Sequence, residues 1–227
     1  MKHVILLGDS IFDNGSYVGQ FDPDVAKQVK MEVGQANKVT LLATDGNVTD
    51  DISRQLRYLP EDASHLFISV GGNDALGQLA SLAKPVDNVG EGFHEFFSIK
   101  AQFENEYSNM LSNVLSMGIP TAVCTIYDPC FYHSNNQRIG QYMGFGLSSK
   151  KMQEISVTAL PIFNDIITKQ AVITGIPVVD LRLIFNDYVD YANPIEPSSE
   201  GGYKISKVIK NIIDNHKFND NCIIYSN

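Results

Sequence analysis

Three short segments carry residue types that could act together on a carbonyl group. Gly8-Asp9-Ser10 follows an apolar run. A serine in a tight strand-to-helix turn presents its hydroxyl and its own N–H to one point, which suits a nucleophile with a built-in oxyanion donor. Taken alone, Ser10 fits a helix cap equally well. Gly71-Gly72-Asn73-Asp74 follows another apolar run. Its glycines permit close backbone approach, and an asparagine amide held there can donate to a developing oxyanion; the segment also reads as an ordinary turn. Gly46, in Thr44-Asp45-Gly46-Asn47, offers a further backbone N–H, although a lone glycine in a turn is usually only a turn.

The flanking sequence sets how these segments are held. Apolar runs at 4–7, 38–43, 65–70, 121–127 and 177–181 end in turn signals and read as strands buried on both faces. Between them, 49–59, 93–117, 149–173 and 199–216 have helical spacing, with Pro161 marking a kink or break. The apolar face of the last helix is Tyr203, Ile205, Val208, Ile209, Ile212 and Ile213. Asp22 and Asp24 read as a solvated loop, and Asp13 and Asn14 are placed to hydrogen-bond within the turn after Ser10. Strands alternating with helices predict right-handed crossovers and a mostly parallel sheet. Ligands then bind beyond the carboxyl ends of the strands. The segments 8–14, 44–49, 71–74 and 128–133 all leave such ends. One domain over 1–216 is expected, with 217–227 a tail in which 222–225 is a candidate added edge strand.

In order, spacing and context, GDS at 8–10, Gly46 and GGND at 71–74 resemble the SGNH (GDSL) hydrolase family, over essentially the whole chain. The resemblance implies a three-layer α/β/α sandwich on a flavodoxin-like, five-stranded parallel sheet. It implies Ser10 as nucleophile, with Ser10 N–H, Gly46 N–H and the Asn73 side chain as oxyanion donors, and Asp9 as support for the turn. It implies a serine esterase or acylhydrolase acting on small acyl esters, thioesters, lipid esters or acetylated sugars, with no cofactor.

One block departs from the family pattern. Asp-x-x-His is expected before the last helix; here the segment reads Asn193-Pro194-Ile195-Glu196-Pro197-Ser198, and no histidine lies between His133 and His216. Asn193 stands in place of the acid and Glu196 in place of the base. An exposed carboxylate is a weak base at neutral pH, but burial raises its pKa. A carboxylate also has no tautomer to fix, so the paired change is chemically coherent. Serine–glutamate pairs in sedolisin peptidases offer an analogy. Glu196 could instead cap the final helix or pair with Arg138 or Arg182. His133, after the fourth strand, is the other candidate base. His3 and His65 begin strands at the opposite edge, His94 reads as surface, and His216 ends the last helix.

Composition narrows the rest. The chain has 227 residues, 17 basic and 26 acidic, for a net charge of −9. That balance argues against nucleic acid or an anionic membrane as partner. No apolar run is long enough to span a bilayer. Cys124, Cys130 and Cys222 form neither a disulfide framework nor a zinc site, no metal cluster appears, and Cys130 has no evident cation to activate it. The chain reads as cytoplasmic, although a secreted form with its signal removed would look the same. Segments 75–97 and 131–147 are expected to line the substrate pocket, the second through Phe131, Tyr132, Tyr142, Met143 and Phe145, with Gly140, Gly144 and Gly146 suggesting a lid. An acyl- or sugar-binding protein without turnover, or an acyltransferase, would suit the same fold. Oligomeric state is not legible.

Overall fold

The computed structural model describes residues 1–132, 148–218 and 221–226. Its strands are β1 (His3–Gly8), β2 (Lys38–Leu41), β3 (His65–Ser69), β4 (Thr121–Cys124), β5 (Val178–Val179), β6 (Tyr191–Asn193), β7 (Glu196–Pro197) and β8 (Ile224–Tyr225). Its helices are α1 (Val25–Val33), α2 (Ile52–Gln55), α3 (Gly72–Gly77), α4 (Val89–Leu115), α5 (Ser149–Thr174), α6 (Leu181–Ile184) and α7 (Ser199–Asn215).

The main sheet has the order β2-β1-β3-β4-β5-β8, with every pair parallel. It has six strands rather than five. The sixth is the tail: Val178 N–H donates to the Ile223 carbonyl at 2.9 Å and Asp180 N–H to the Tyr225 carbonyl at 2.8 Å. The added strand pairs backbone groups that β5 would otherwise present at a bare edge.

Both faces of the sheet are buried. Val4, Leu6, Phe67, Ala122 and Cys124 face α1 and α7, while Ile5, Leu7, Leu66, Ile68 and Val123 face α4 and α5. Successive strand residues point to opposite faces, so an unbroken apolar run feeds two cores at once and yields the three-layer sandwich.

Several local expectations change. Asp24 is a helix cap, not part of a solvated loop: its carboxylate accepts Lys27 N–H at 2.8 Å, and α1 follows with Val25, Val29 and Val33 buried. The 49–59 segment is broken into short 3₁₀ and α pieces around α2. Helix α5 runs on through Pro161 instead of breaking there. Buried Phe163, Ile166, Ile167 and Ala171 beyond the proline hold its second half against the sheet. Strand β4 stops at Cys124, and the chain continues through Thr125–Cys130 beyond the carboxyl end of the strand.

Candidate active site

Strand β1 delivers Ser10 through a turn that only glycine permits. Gly8 has φ +133°, and a Cβ there would lie 1.9 Å from the Ser69 carbonyl oxygen on the neighbouring strand. Asp9 N–H donates to that same carbonyl at 3.1 Å. The Asp9 carboxylate accepts Ile11 N–H at 3.0 Å, and its carbonyl accepts Phe12 and Asp13 N–H, so the turn is bonded on both sides of Ser10. Asp9 and Ser10 are buried. Burial raises the Asp9 carboxyl to about 7, with the charges of Asp74 and Asp45 adding and the Ile11 hydrogen bond opposing.

The loop after β2 is tied to this turn by Gln55, a residue that sequence reasoning missed. Its side chain accepts Gly8 N–H at 2.8 Å and donates to the Gly8 carbonyl at 2.7 Å and to Asn47 Oδ1 at 2.9 Å. Asp74 accepts Thr49 N–H at 3.1 Å, and Asn73 Nδ2 donates to the Asn47 carbonyl at 2.9 Å. The second Nδ2 hydrogen of Asn73 is thereby oriented by the first. Gly46 takes φ +80°, a conformation that disfavours any side chain. Asp9, Ser10, Asn73 and Glu196 line one cleft; Gly46 is not part of that lining.

Glu196 arrives on a small hairpin. Strands β6 and β7 pair antiparallel, with Asn193 opposite Glu196. Three bonds hold the turn between them. Asn193 Oδ1 accepts Ile195 N–H at 3.0 Å, Tyr127 OH donates to the Ile195 carbonyl at 2.5 Å, and Cys130 N–H donates to the Pro194 carbonyl at 2.8 Å. Tyr127 is itself stacked on Phe185, ring centres 4.2 Å apart, and meets Tyr191 edge-on. On the far side, Asn14 Nδ2 donates to the Pro197 carbonyl at 3.0 Å while Asn14 Oδ1 accepts Val25 N–H. Asn14 therefore bridges the loop after Ser10 and the hairpin, beyond the local role expected of it.

The hairpin sets Glu196 against the serine: Ser10 Oγ donates to Glu196 Oε1 at 3.1 Å. Glu196 is 5% exposed, and its Oε2 has no hydrogen-bond partner among the described residues. Burial pushes the Glu196 carboxyl from its ordinary 4.5 up to about 8; the Ser10 hydrogen bond opposes the shift, and the charges of Asp9 and Asp45 add to it.

Two of the competing expectations for Glu196, a cap on the last helix and a pair with Arg182, are not met. Ser198, not Glu196, caps α7, accepting Gly201 N–H at 3.2 Å. Arg182 is paired with Asp180 at 2.5 Å. Arg138 and His133 lie outside the described residues, as do Tyr142, Met143, Phe145 and the glycines Gly140, Gly144 and Gly146. The four described histidines sit elsewhere. His3 bonds Asp62 and Thr40 at the start of β1, His65 opens β3, His94 stacks on Phe97, and His216 contacts Tyr225 beyond α7.

The cleft has about 890 Å³ of space, counting its open mouth, and most of its wall is apolar. Leu76, Leu79, Leu82 and Phe96 come from the expected 75–97 segment and Phe131 from the second expected segment. Ile155, Ala159, Leu160 and Phe163 of α5 were not anticipated. Among the described residues no cluster of histidine, cysteine or acidic side chains is arranged to hold a metal, and no helix is long and apolar enough to cross a membrane.

Known structures share this architecture. An extracellular lipase from Streptomyces rimosus superposes with a TM-score of 0.61 at 17% identity, covering 91% of this chain and 98% of the lipase. A phospholipase A1 from Streptomyces albidoflavus gives 0.62 at 18%, covering 92% and 99%. Est24, a carbohydrate acetylesterase from Sinorhizobium meliloti, gives 0.61 at 11%, covering 94% and 99%. At these identities the likeness is one of fold. A comparison with curated protein sequences finds no match. The family model for GDSL-like lipase/acylhydrolase matches residues 4–216, and the chain belongs to that family.

Proposed function

We propose that the protein is a serine esterase in which Glu196 takes the place of the histidine base. The observation that carries this reading is the Ser10 Oγ to Glu196 Oε1 hydrogen bond of 3.1 Å inside a buried cleft. Ser10 Oγ attacks the ester carbonyl carbon as its proton passes to Glu196 Oε1. The carbonyl oxygen becomes an oxyanion, for which Ser10 N–H and the remaining Asn73 amide hydrogen, both on the cleft wall, are the donors; Gly46, the third donor the family resemblance implies, does not line the cleft. Collapse of the intermediate expels the alcohol, which takes the proton from Glu196, and leaves Ser10 acylated. Water then attacks the acyl-enzyme with Glu196 again accepting the proton; collapse breaks the bond to Ser10 Oγ, which takes that proton back from Glu196 as the acid is released.

A carboxyl near 8 matches this work better than one near 4.5. At pH 7 only about a tenth of such a group is ionised, but the ionised fraction is a much stronger base. Asn193 does not replace the missing acid as a partner of the base. Its side chain holds the Ile195 N–H and so sets the turn that carries Glu196. Asp9 acts as a positioning residue through Ile11 N–H.

The test is hydrolysis of p-nitrophenyl butyrate together with labelling by an alkyl fluorophosphonate. The wild type is expected to turn over the ester and to be labelled at Ser10, while Ser10→Ala loses both. Equal hydrolysis by Ser10→Ala and wild type would remove Ser10 as nucleophile. Binding of the ester with neither turnover nor labelling in the wild type would favour a binding protein on this fold.

A further inference from the structure

The cleft beside Ser10 is apolar far beyond what an acetyl group would cover. Leaving aside the end where Asp9, Ser10, Asn73 and Glu196 gather, the polar side chains among the described lining residues are Gln78, Ser156 and Tyr127, and the Tyr127 hydroxyl is already bonded to the Ile195 carbonyl. A sugar ring brings several hydroxyls into such a site, and each would lose its water partners without a replacement. An alkyl chain gains from the same burial. On α5 the lining runs from Ile155 to Phe163. Eight residues of helix rise about 12 Å, the length of an extended chain of roughly eight to ten carbons.

The cleft shares part of its wall with a second hollow. An outer groove between the first half of α5 and the start of α4 is lined by Val89, Phe93 and Ile162 with Lys151, Glu154 and Thr158, and Leu82, Phe96, Ile155 and Ala159 line both the groove and the cleft. Phe96 is the bulkiest of those four and is only half-buried. Ala159 is the smallest.

Building on Ser10 as nucleophile, we propose that the cleft takes the acyl chain of a medium-chain ester and that the wall of Leu82, Phe96, Ile155 and Ala159 sets the upper limit on its length. Acetylated sugars are then poor substrates, and chains longer than the cleft meet Phe96.

The experiment compares p-nitrophenyl acetate, butyrate, octanoate and myristate in one detergent, with glucose pentaacetate as the acetylated sugar, for wild type, Phe96→Ala and Ala159→Phe. Thermal melts check that both variants fold. Octanoate is expected to exceed acetate by roughly tenfold or more in kcat/KM, with myristate below octanoate. Ala159→Phe should lower octanoate by about tenfold while acetate stays within about twofold. Phe96→Ala should raise myristate relative to octanoate. A maximum at acetate, or faster turnover of the acetylated sugar, would overturn the acyl-chain reading while leaving the esterase intact. An unchanged chain preference in either folded variant would remove the wall as the limit. Absence of Ser10-dependent turnover on every ester would overturn the esterase reading and this one together.

Discussion

Glu196 is held where a carboxylate is costly. It is buried, carries an oxygen with no hydrogen-bond partner among the described residues, and feels the charge of Asp9. Both carboxyls are raised above their ordinary values, to about 8 and about 7. The folded protein therefore binds more protons than the unfolded chain between about 4.5 and 8, and stability falls as pH rises through that window. Glu196→Gln keeps the shape and removes the charge. It is expected to match the wild type near pH 5 and to exceed it by roughly 2 kcal/mol at pH 9, as measured by urea unfolding at the two pH values. Equal stability of the two proteins at pH 9 would show that the carboxylate is not strained by burial. Ser10 and Asn73 were legible in the sequence because serine and asparagine at strand ends are few and their context is specific. Glu196 was legible only through its position in the family's last block. Gln55 was not legible, because a glutamine in a helical stretch reads as surface until its three bonds to Gly8 and Asn47 are known.

At the scale of elements, the proposed catalytic pair depends on a hairpin rather than on a long strand or helix. Tyr127 anchors that hairpin from the chain beyond β4. The apolar run 121–127 read as strand throughout, which put Tyr127 inside the sheet. In fact β4 ends at Cys124, and the freed segment supplies both Tyr127 OH and Cys130 N–H to the turn that carries Glu196. Tyr127→Phe retains the stack on Phe185 and removes one hydrogen bond. It is expected to cost about 1 kcal/mol of stability. It is also expected to lower kcat by about tenfold with little change in KM, because the base loses its placement while the acyl cleft stays. A loss in stability alone, with kcat unchanged, would make Tyr127 merely structural. Helix α1 is the converse case. Its Val25, Val29 and Val33 spacing was present in the sequence, but two aspartates nearby suggested solvent, and one of them proved to be its cap.

At the scale of the whole molecule, the alternation of apolar runs and helical stretches was enough to place the turns after the first four strands at one sheet edge, though not the hairpin that carries Glu196. The parallel order β2-β1-β3-β4-β5 meets that expectation, and the tail extends it by one strand. What the pattern could not give was the wall of α5 along the cleft, since an amphipathic helix does not declare which neighbour its second face will meet. The net charge of −9 acquires one local meaning: acidic groups around Ser10, Asp9 and Asp45 among them, help to hold Glu196 in its basic range. The account therefore stands on the titration of one group. The most direct measurement is the pH dependence of kcat/KM on p-nitrophenyl butyrate for wild type and Glu196→Gln. The wild type is expected to rise about tenfold per pH unit below a midpoint near 8 and then level off. Glu196→Gln is expected to fall by about 10²- to 10⁴-fold and to lose that midpoint. Full activity in Glu196→Gln with an unchanged profile would contradict the account and place the base elsewhere.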